Sequence, residues 1–282
     1  LPELTDPVMI LAFEGWNDAG EAATDAVDHL AMQWRAEPVA ALDPEDYYDF
    51  QVNRPRALME EGHRRIQWRT TRILLARPQD LGRDVILVSG IEPSFRWRRF
   101  TVEVMQYAQE AGVTMVVTLG ALMADVAHTR AIPVTATADD ERTIHRYDLE
   151  QSSYEGPTGI VGVLADAANQ AGLTSISCWA AVPHYAGHTP SPKATLALLR
   201  RLEALLGVTL DTGDLPEAAE NWERGINELA ESDEEVAEYV EALEQAQDTA
   251  EMPGASGDAI AREFERYLRG QGRPGSGHPD ES

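Results

Sequence analysis

The sequence predicts an α/β protein, a three-layer α/β/α domain with a mostly parallel sheet, followed by a helical appendage. Short apolar runs alternate with stretches in which apolar residues recur at helical spacing. This alternation is typical of strands that are buried on both faces and connected by helices. After about residue 210 the strand-like runs stop, and Ala, Glu, Leu and Gln dominate, which indicates helices alone.

The first elements are a strand, a helix and a second strand. Residues 8–13 form an apolar run, and Asn17 and Asp18 offer capping oxygens to a helix that ends near Arg35. Residues 38–42 form the next strand, and the helical crossover predicts that the two strands are parallel. The other predicted strands are residues 63–71 and 72–77, which form a pair, and residues 84–89, 113–119 and 175–182. The other predicted helices are residues 95–111 and 158–171, closed by Gly112 and Gly172, and residues 192–206, with Thr158 and Ser191 as caps of the last two.

Charge and composition divide the chain into three predicted parts. Residues 211–282 carry a net charge of −15, against −10 for the first 210 residues. Two capping-box patterns, at residues 214–217 and 232–235, predict an antiparallel helix pair, and residues 255–268 predict a third helix. The predicted parts are an α/β/α core (residues 1–210), an acidic helical appendage (211–270) and a disordered tail (271–282).

Composition excludes several classes of function. The net charge of −25 argues against nucleic acid or an anionic membrane as the main partner. Cys178 has no second cysteine to pair with, and the spacing of His184, His188 and Lys193 matches no standard metal site. We therefore expect no disulfide, metal or cofactor. The chain shows neither a signal-peptide pattern nor an apolar run long enough to span a membrane, so we expect it in the cytoplasm.

Four segments lie where strands end or helices begin, and ligands of parallel sheets bind at such positions. The segment 14–18 offers Glu14, Asn17 and Asp18, either as a helix cap or toward a ligand. The segment 90–99 contains Glu92, Arg96, Trp97, Arg98 and Arg99, which suit either an anion site or a subunit contact.

Of the other two segments, the first follows the most apolar strand and the second precedes a predicted helix. Residues 120–130 present His128, Thr129 and Arg130, but they contain no nucleophile-elbow pattern, so we assign no catalytic residue. Residues 154–159 offer free amides and lack a Walker pattern. The candidate ligand-binding residues are Glu14, Asn17, Asp18, Glu92, Arg96, His128, Thr129, Arg130, Glu155 and Thr158, and the candidate interface residues are Trp97, Arg98 and Arg99.

As an ordered set, these segments resemble the proteasome assembly chaperone family of the chaperone-two type, in particular its actinobacterial branch. The resemblance rests on residues 13–20, 90–94, 119–130, 154–159 and 184–190, and it covers about residues 7–207. It implies a fold like that of nucleoside phosphorylases, a homo-oligomer such as a trimer, and no established catalytic residues. Relatives in eukaryotes and archaea assemble proteasome rings and dock by a hydrophobic–Tyr–any-residue tail. Residues 277–282 do not match that tail, so we do not expect this mode of docking.

Two functions from different classes follow. The first is a non-enzymatic assembly factor with a protein partner, which the resemblance implies to be proteasome-related. The second is a nucleoside-phosphorylase-like enzyme, or a binder of a small ligand that bears a phosphate or carboxylate. Fold alone decides neither.

Overall fold

The structure is a computed structural model and describes residues 3–187 and 189–249. In this part of the chain the strands are β1 (Val8–Glu14), β2 (Glu37–Ala41), β3 (Arg56–Glu60), β4 (His63–Gln67), β5 (Arg72–Ala76), β6 (Val85–Ile91), β7 (Met115–Ala124), β8 (Val134–Ala138), β9 (Glu150–Gln151) and β10 (Thr174–Pro183). The helices are α1 (Ala22–Gln33), α2 (Pro44–Tyr47), α3 (Trp97–Glu110), α4 (Glu141–Tyr147), α5 (Ile160–Gln170), α6 (Pro192–Leu206), α7 (Leu215–Glu231) and α8 (Glu234–Thr249).

Most strands join one sheet in the order β2-β5-β6-β1-β7-β10-β8-β9. Its centre, β6-β1-β7-β10, is parallel, whereas β5 and β8 are antiparallel to their central neighbours. Strand β2 is antiparallel to β5 and so has the direction of β1, as predicted for residues 38–42, although β5 and β6 lie between them. The predicted three-layer α/β/α class with a mostly parallel sheet is confirmed.

Strand β1 shows why the core has two halves. Val8, Ile10 and Ala12 pack with α1 and α6 on one face of the sheet. The alternate residues Met9, Leu11 and Phe13 pack with α3 and α5 on the other face. Because successive strand side chains point to opposite faces, a continuous apolar run is needed in a strand covered on both sides.

The two strands predicted at residues 63–71 and 72–77 are present as β4 and β5, but they do not pair with each other. Strand β4 pairs instead with β3 in an antiparallel hairpin outside the main sheet, while β5 pairs with β2 and β6. Glu61 and Gly62 make the turn, both with positive φ. Every residue of β3 and β4 is exposed, so no buried face gives β3 an apolar alternation in the sequence. We call this hairpin, residues 56–67, the arm.

The start of α5 also differs from the prediction. Gly159, not Thr158, is the N-cap residue, and Glu92 accepts the amide of Ile160. Ser191 is the N-cap residue of α6, as predicted, but its hydroxyl makes no capping bond. Gly112 and Gly172 follow the last helical turns with φ of +70° and +76°, which confirms them as helix stops.

Strand β8 and helix α4 were not predicted. The strand consists of Val, Thr and Ala only, and it lacks the large apolar residues that mark the other strands. The helix has a local start signal, because the Asp140 carboxylate accepts the amide of Thr143 at 2.9 Å.

Helices α7 and α8 occupy the first part of the predicted appendage, but neither capping box forms. Asp214 makes no side-chain capping bond, and the Ser232 hydroxyl donates back to the Leu229 carbonyl at 2.7 Å. Asp233 instead accepts the amide of Glu235 at 3.0 Å. Helix α7 packs on α6, and α8 packs on α7. The predicted third helix and disordered tail lie outside the described residues, and the domain boundary at residue 210 stays a prediction.

Candidate functional site

Three of the four predicted segments meet where the central strands end. The β1–β6 register pairs Glu14 with Ile91, and the carbonyl of Glu14 accepts the amide of Glu92 at 2.9 Å. The Glu92 carboxylate accepts both the Asn17 side-chain amide and the backbone amide of Ile160, each at 2.8 Å. We call Glu14, Asn17, Glu92, Gly159 and Ile160 the Glu92 cluster.

The Glu92 cluster places a carboxylate at the N-terminus of α5. Helix N-termini attract anions because their free amides and their dipole point outward. Here the protein's own Glu92 supplies that anion. Asn17 is fully buried, and a Cβ atom at Gly159 would overlap its side-chain oxygen. Close packing therefore explains why residue 159 is a glycine.

Asp18 and the Glu14 side chain have local partners. Asp18 accepts the amides of Ala23 at 2.7 Å and Thr24 at 3.3 Å, and the Thr24 hydroxyl also donates to it. Burial raises the pKa of Asp18 to about 6, although these hydrogen bonds pull it down. The Glu14 carboxylate pairs with Arg69. The N-cap residue of α1 is Glu21, which makes no side-chain capping bond. Of the two predicted capping residues, Asp18 bonds amides of the first turn from before the helix, whereas Asn17 bonds Glu92 instead.

The arginine-rich start of α3 faces α2. Arg96 and Arg99 both pair with Asp46, Arg99 at 3.0 Å, while Arg98 is exposed. The indole of Trp97 is half-buried and donates to the Pro93 carbonyl at 2.6 Å. Arg96 is thus already paired with a carboxylate of the same chain.

The fourth segment lies beneath the acidic helices. His128 is fully buried, with Nδ1 2.8 Å from the Tyr185 hydroxyl and Nε2 3.0 Å from the Asn227 side-chain oxygen of α7. Burial lowers the pKa of His128. Its carbonyl accepts Lys193 Nζ, which also pairs with Glu223 of α7, both at 2.5 Å. A neutral imidazole therefore joins this loop to α7.

Helix α8 holds the next two residues of the same loop. The Thr129 hydroxyl donates to Glu244. Arg130 donates to both oxygens of Asp248, at 2.9 and 2.8 Å, and lies 3.2 Å from Glu244. We call the bonds of residues 128–130 to α7 and α8 the tail contact. Binding of an external ligand by these three residues would require the helices to move away.

The remaining segment borders an open cleft of about 370 Å³ beside α5. Glu155 and Thr158 are exposed, and Thr158 lines the cleft. Trp16 and Trp179 contribute to its wall, and Gly120 leaves room for the indole of Trp179 against β7. Hydroxyl groups from two neighbouring strands also line it: Thr135 and Thr137 of β8 and Ser175 and Ser177 of β10.

The charges of this cleft are acidic. Asp139, Glu150 and Asp166 line it, and its lining within the described residues includes no arginine, lysine or histidine. Aromatic walls with hydroxyl groups suit neutral polyhydroxylated molecules, and carboxylates suit cations. A phosphate or carboxylate would meet like charge here.

The described residues contain no group of three or more His, Cys, Asp or Glu side chains able to hold a metal ion. Nor does any helix in that part of the chain have the length and apolar character needed to cross a membrane.

The sequence profile of the PAC2 family matches residues 12–230. The chain belongs to the PAC2 family. A PAC2 family protein from Streptomyces avermitilis, known from its crystal structure, has 55% sequence identity to this chain and a TM-score of 0.79. The match covers 83% of this chain and 100% of that one. A proteasome-assembly chaperone homologue from Mycobacterium tuberculosis is 50% identical, with a TM-score of 0.75, over 83% and 99% of the two chains. No curated protein matches the chain.

More distant structures share the fold. An archaeal proteasome activator from Pyrococcus furiosus is 20% identical, with a TM-score of 0.67, over 81% of this chain and 95% of that one. The residues matched by the PAC2 profile include the Glu92 cluster and the Asn227 partner of His128, whereas α8 lies beyond them. The carboxylates that bind Arg130 therefore come from outside the matched region.

In this PAC2 chain the partners supplied by distant segments were not predicted from the sequence. Asn227, Glu244 and Asp248 lie 99 to 118 residues from their partners on the loop. Local spacing gives no signal for such contacts. The one available signal was general, namely a loop that ends in an arginine in a chain whose last part is strongly acidic.

Proposed function

We propose that the protein is a non-enzymatic assembly factor that binds a proteasome-related protein partner in the cytoplasm and works as a homo-oligomer, with a trimer as the expected form. Membership of the PAC2 family over residues 12–230 carries this proposal. The proteasome-assembly chaperone homologue that is 50% identical to this chain supports it.

The geometry of the strand-end loops favours binding over catalysis. The arginines at positions 96 and 130 pair with acidic groups of the same chain, and His128 uses both ring nitrogens internally. Cys178 is fully buried, and burial raises its pKa to about 12, so the thiolate nucleophile is suppressed. These side chains stabilise the fold around the loops. The implied likeness to nucleoside phosphorylases stays a prediction.

The partner is tested by affinity purification of the tagged full-length chain from its native cell, followed by mass spectrometry. We expect proteasome subunits or their assembly intermediates to be enriched over cells that express the tag alone. Equal recovery of those subunits in both samples, together with full recovery of the tagged chain, would contradict the proposed partner.

The homo-oligomer is tested by light scattering at micromolar concentration, where we expect a multiple of the chain mass. If Trp97 is an interface anchor, Trp97→Ala weakens assembly by about 2 kcal/mol, roughly thirtyfold in the dissociation constant. Val102→Ala, at an exposed position of the same helix, is the matched control. A single-chain mass for the wild type would refute the oligomer.

A second candidate function is the binding of a small ligand, and the cleft beside α5 favours it. Its acidic lining supports a neutral polyhydroxylated or cationic molecule rather than the phosphate- or carboxylate-bearing ligand expected from the sequence. Trp16 and Trp179 provide the signal for a fluorescence titration with nucleosides, sugars, polyamines and inorganic phosphate. We expect quenching by one of the first three classes, and its loss in Thr137→Tyr, which fills the cleft. If no compound changes the fluorescence, the small-ligand function is refuted and only the assembly role remains.

A further inference from the structure

The arm exposes an apolar face. In the register of the hairpin, Ala57 lies opposite Ile66 and Met59 lies opposite Arg64, so these four residues share one face. The side chains of Met59 and Ile66 are 69% and 51% exposed, and Trp68 follows at the next alternate position with 48% exposed. Large apolar side chains grouped in this way on a surface are typical of a contact with another protein.

The arm has little to stabilise it within one chain. It forms a sheet of its own, separate from the main sheet, and none of the residues in its two strands is buried. An isolated two-stranded hairpin is marginally stable in water. A surface that covers the apolar face would supply the missing burial. The same chain's own helices do not cover it, because every strand residue of the arm is exposed.

The charge of the arm is opposite to that of the whole protein. The arm includes three arginines and two glutamates, and Arg54 lies just before it, in a chain with a net charge of −25. Arg65 pairs with Glu60 at 3.5 Å. Arg54, Arg56 and Arg64 are exposed, and among the described residues they form no ion pair. These guanidinium groups are available to an acidic surface.

Helices α7 and α8 present such a surface. Residues 211–249 contain fourteen acidic residues and one arginine. Their inner carboxylates, Glu223, Glu244 and Asp248, are held by the core. Glu228, Glu231, Glu235 and Glu238 are exposed, and so is Leu229, at 66%. We call these exposed residues the outer side of α7 and α8; it offers carboxylates and one apolar residue.

We propose that the arm of one copy docks on the outer side of α7 and α8 of a second copy. This inference rests on the proposed homo-oligomer and names its interface. Met59 and Ile66 meet Leu229, and Arg64, which shares their face, meets the outer carboxylates. Arg54 and Arg56 add positive charge beside this contact. Because the arm and the helices are different surfaces, the contact is head-to-tail, and repetition around an axis closes a ring.

Paired charge reversals test this interface. The arm variant carries Arg54→Glu, Arg56→Glu and Arg64→Glu. The tail variant carries Glu228→Arg, Glu231→Arg and Glu235→Arg. The control carries Arg35→Glu, Arg142→Glu and Arg146→Glu, the same change of charge away from the arm. Circular dichroism checks the fold, and light scattering gives the mass over a concentration series.

We expect each of the arm and tail variants alone to dissociate at concentrations at least tenfold above the wild type, because like charges then face each other. The control should keep the wild-type mass. A chain that carries both sets of reversals should assemble again, since every reversed arm then meets a reversed tail in a ring of any size.

Each contrary result has a distinct meaning. A single-chain mass for the wild type refutes the homo-oligomer itself. An arm variant that keeps the wild-type mass overturns the arm as the interface while the homo-oligomer stands. If that assembled variant also loses the proteasome-related partner in affinity purification, the arm binds the partner instead. If the arm variant dissociates and the tail reversals in the same chain do not restore assembly, α7 and α8 are overturned as the docking surface.

Discussion

Gly159 connects three strand-end loops through its lack of a side chain. A methyl group there would overlap the Asn17 side-chain oxygen, next to the bonds that join Asn17 and Ile160 to Glu92. We expect Gly159→Ala to lower the free energy of unfolding by about 2 kcal/mol or more, because both neighbours are packed. Chemical denaturation followed by circular dichroism measures this loss.

The comparison variant is Gly225→Ala in α7, where an added methyl group meets open space. Alanine favours helix by about 1 kcal/mol over glycine, so this variant should be slightly more stable than the wild type. Asn17→Ala in the Gly159→Ala background should recover part of the loss. Equal stability of the Gly159 and Gly225 variants would show that the overlap is relieved without cost.

Asp18 gives the protein a stability that depends on pH. Its pKa in the folded state is about 6, above the ordinary value of 3.8, so the folded state binds the proton more tightly. The stabilisation of the folded state by this proton is complete below about pH 4 and is lost as the pH rises through 6. We expect Asp18→Asn to gain about 3 kcal/mol relative to the wild type between pH 4 and pH 7. Urea denaturation at several pH values measures the difference.

Asp140 is the control with the opposite sign. Hydrogen bonds from the Thr143 amide and hydroxyl lower the pKa of Asp140. Its contribution is therefore present above about pH 4 and is lost as the pH falls through the folded-state value. Asp140→Asn should remove pH dependence only in that acidic range. A flat difference between Asp18→Asn and the wild type across pH 4 to 7 would refute the assignment to Asp18.

At the scale of elements, the tail contact determines how firmly α8 is held. Arg130 forms a two-pronged bond to Asp248, and Thr129 bonds to Glu244. We expect Arg130→Ala to speed amide exchange throughout α8 severalfold and to leave β7 protected, because the exposed ion pair anchors the last turn. Added salt should have a similar but weaker effect on the wild type.

Arg224→Ala is the matched control, since this exposed arginine of α7 bonds only to Asn221 within the described residues. In this variant the amides of α8 should exchange at the wild-type rate. Unchanged exchange in the Arg130 variant would mean that Val240 and Leu243, the buried residues of α8, hold the helix by themselves.

Most of the elements that could be predicted from the sequence have a buried face. Helices α3 and α6 and strands β1, β6 and β7 were predictable, because burial on one or two faces leaves a periodic signal. In the arm, β4 lies within the strand predicted at residues 63–71, but β3 and the hairpin were not predicted, since the arm has no buried face. The same holds for the candidate site. The segments that form the Glu92 cluster could be expected to lie close together because they follow neighbouring strands. The partners of His128 and Arg130 could not be predicted, because they come from helices about a hundred residues away.

At the scale of the whole molecule, Cys178 reports on global unfolding. It is the chain's single cysteine and lies fully buried on β10, between two core strands. We expect a thiol reagent to modify it only when the sheet opens, so that its rate matches exchange of the slowest amides of β1. Mass spectrometry of the intact protein follows the modification.

A chain modified faster than the β1 amides exchange would contradict this prediction and would show that β10 opens locally. The Arg130→Ala protein is informative in the same assay. Its α8 should be loosened while Cys178 keeps the wild-type rate, because the tail contact lies outside the two core halves.

The central position of β1 has a consequence for synthesis. It leaves the ribosome before the other described strands, yet its neighbours β6 and β7 end at Ile91 and Ala124. At about 5–20 residues per second, β1 waits roughly 4 seconds or more for its first partner. During that time an apolar strand with two unpaired edges is open to other chains, which is a typical start of aggregation. A protein whose relatives include chaperone homologues thus itself has a vulnerable interval as a nascent chain.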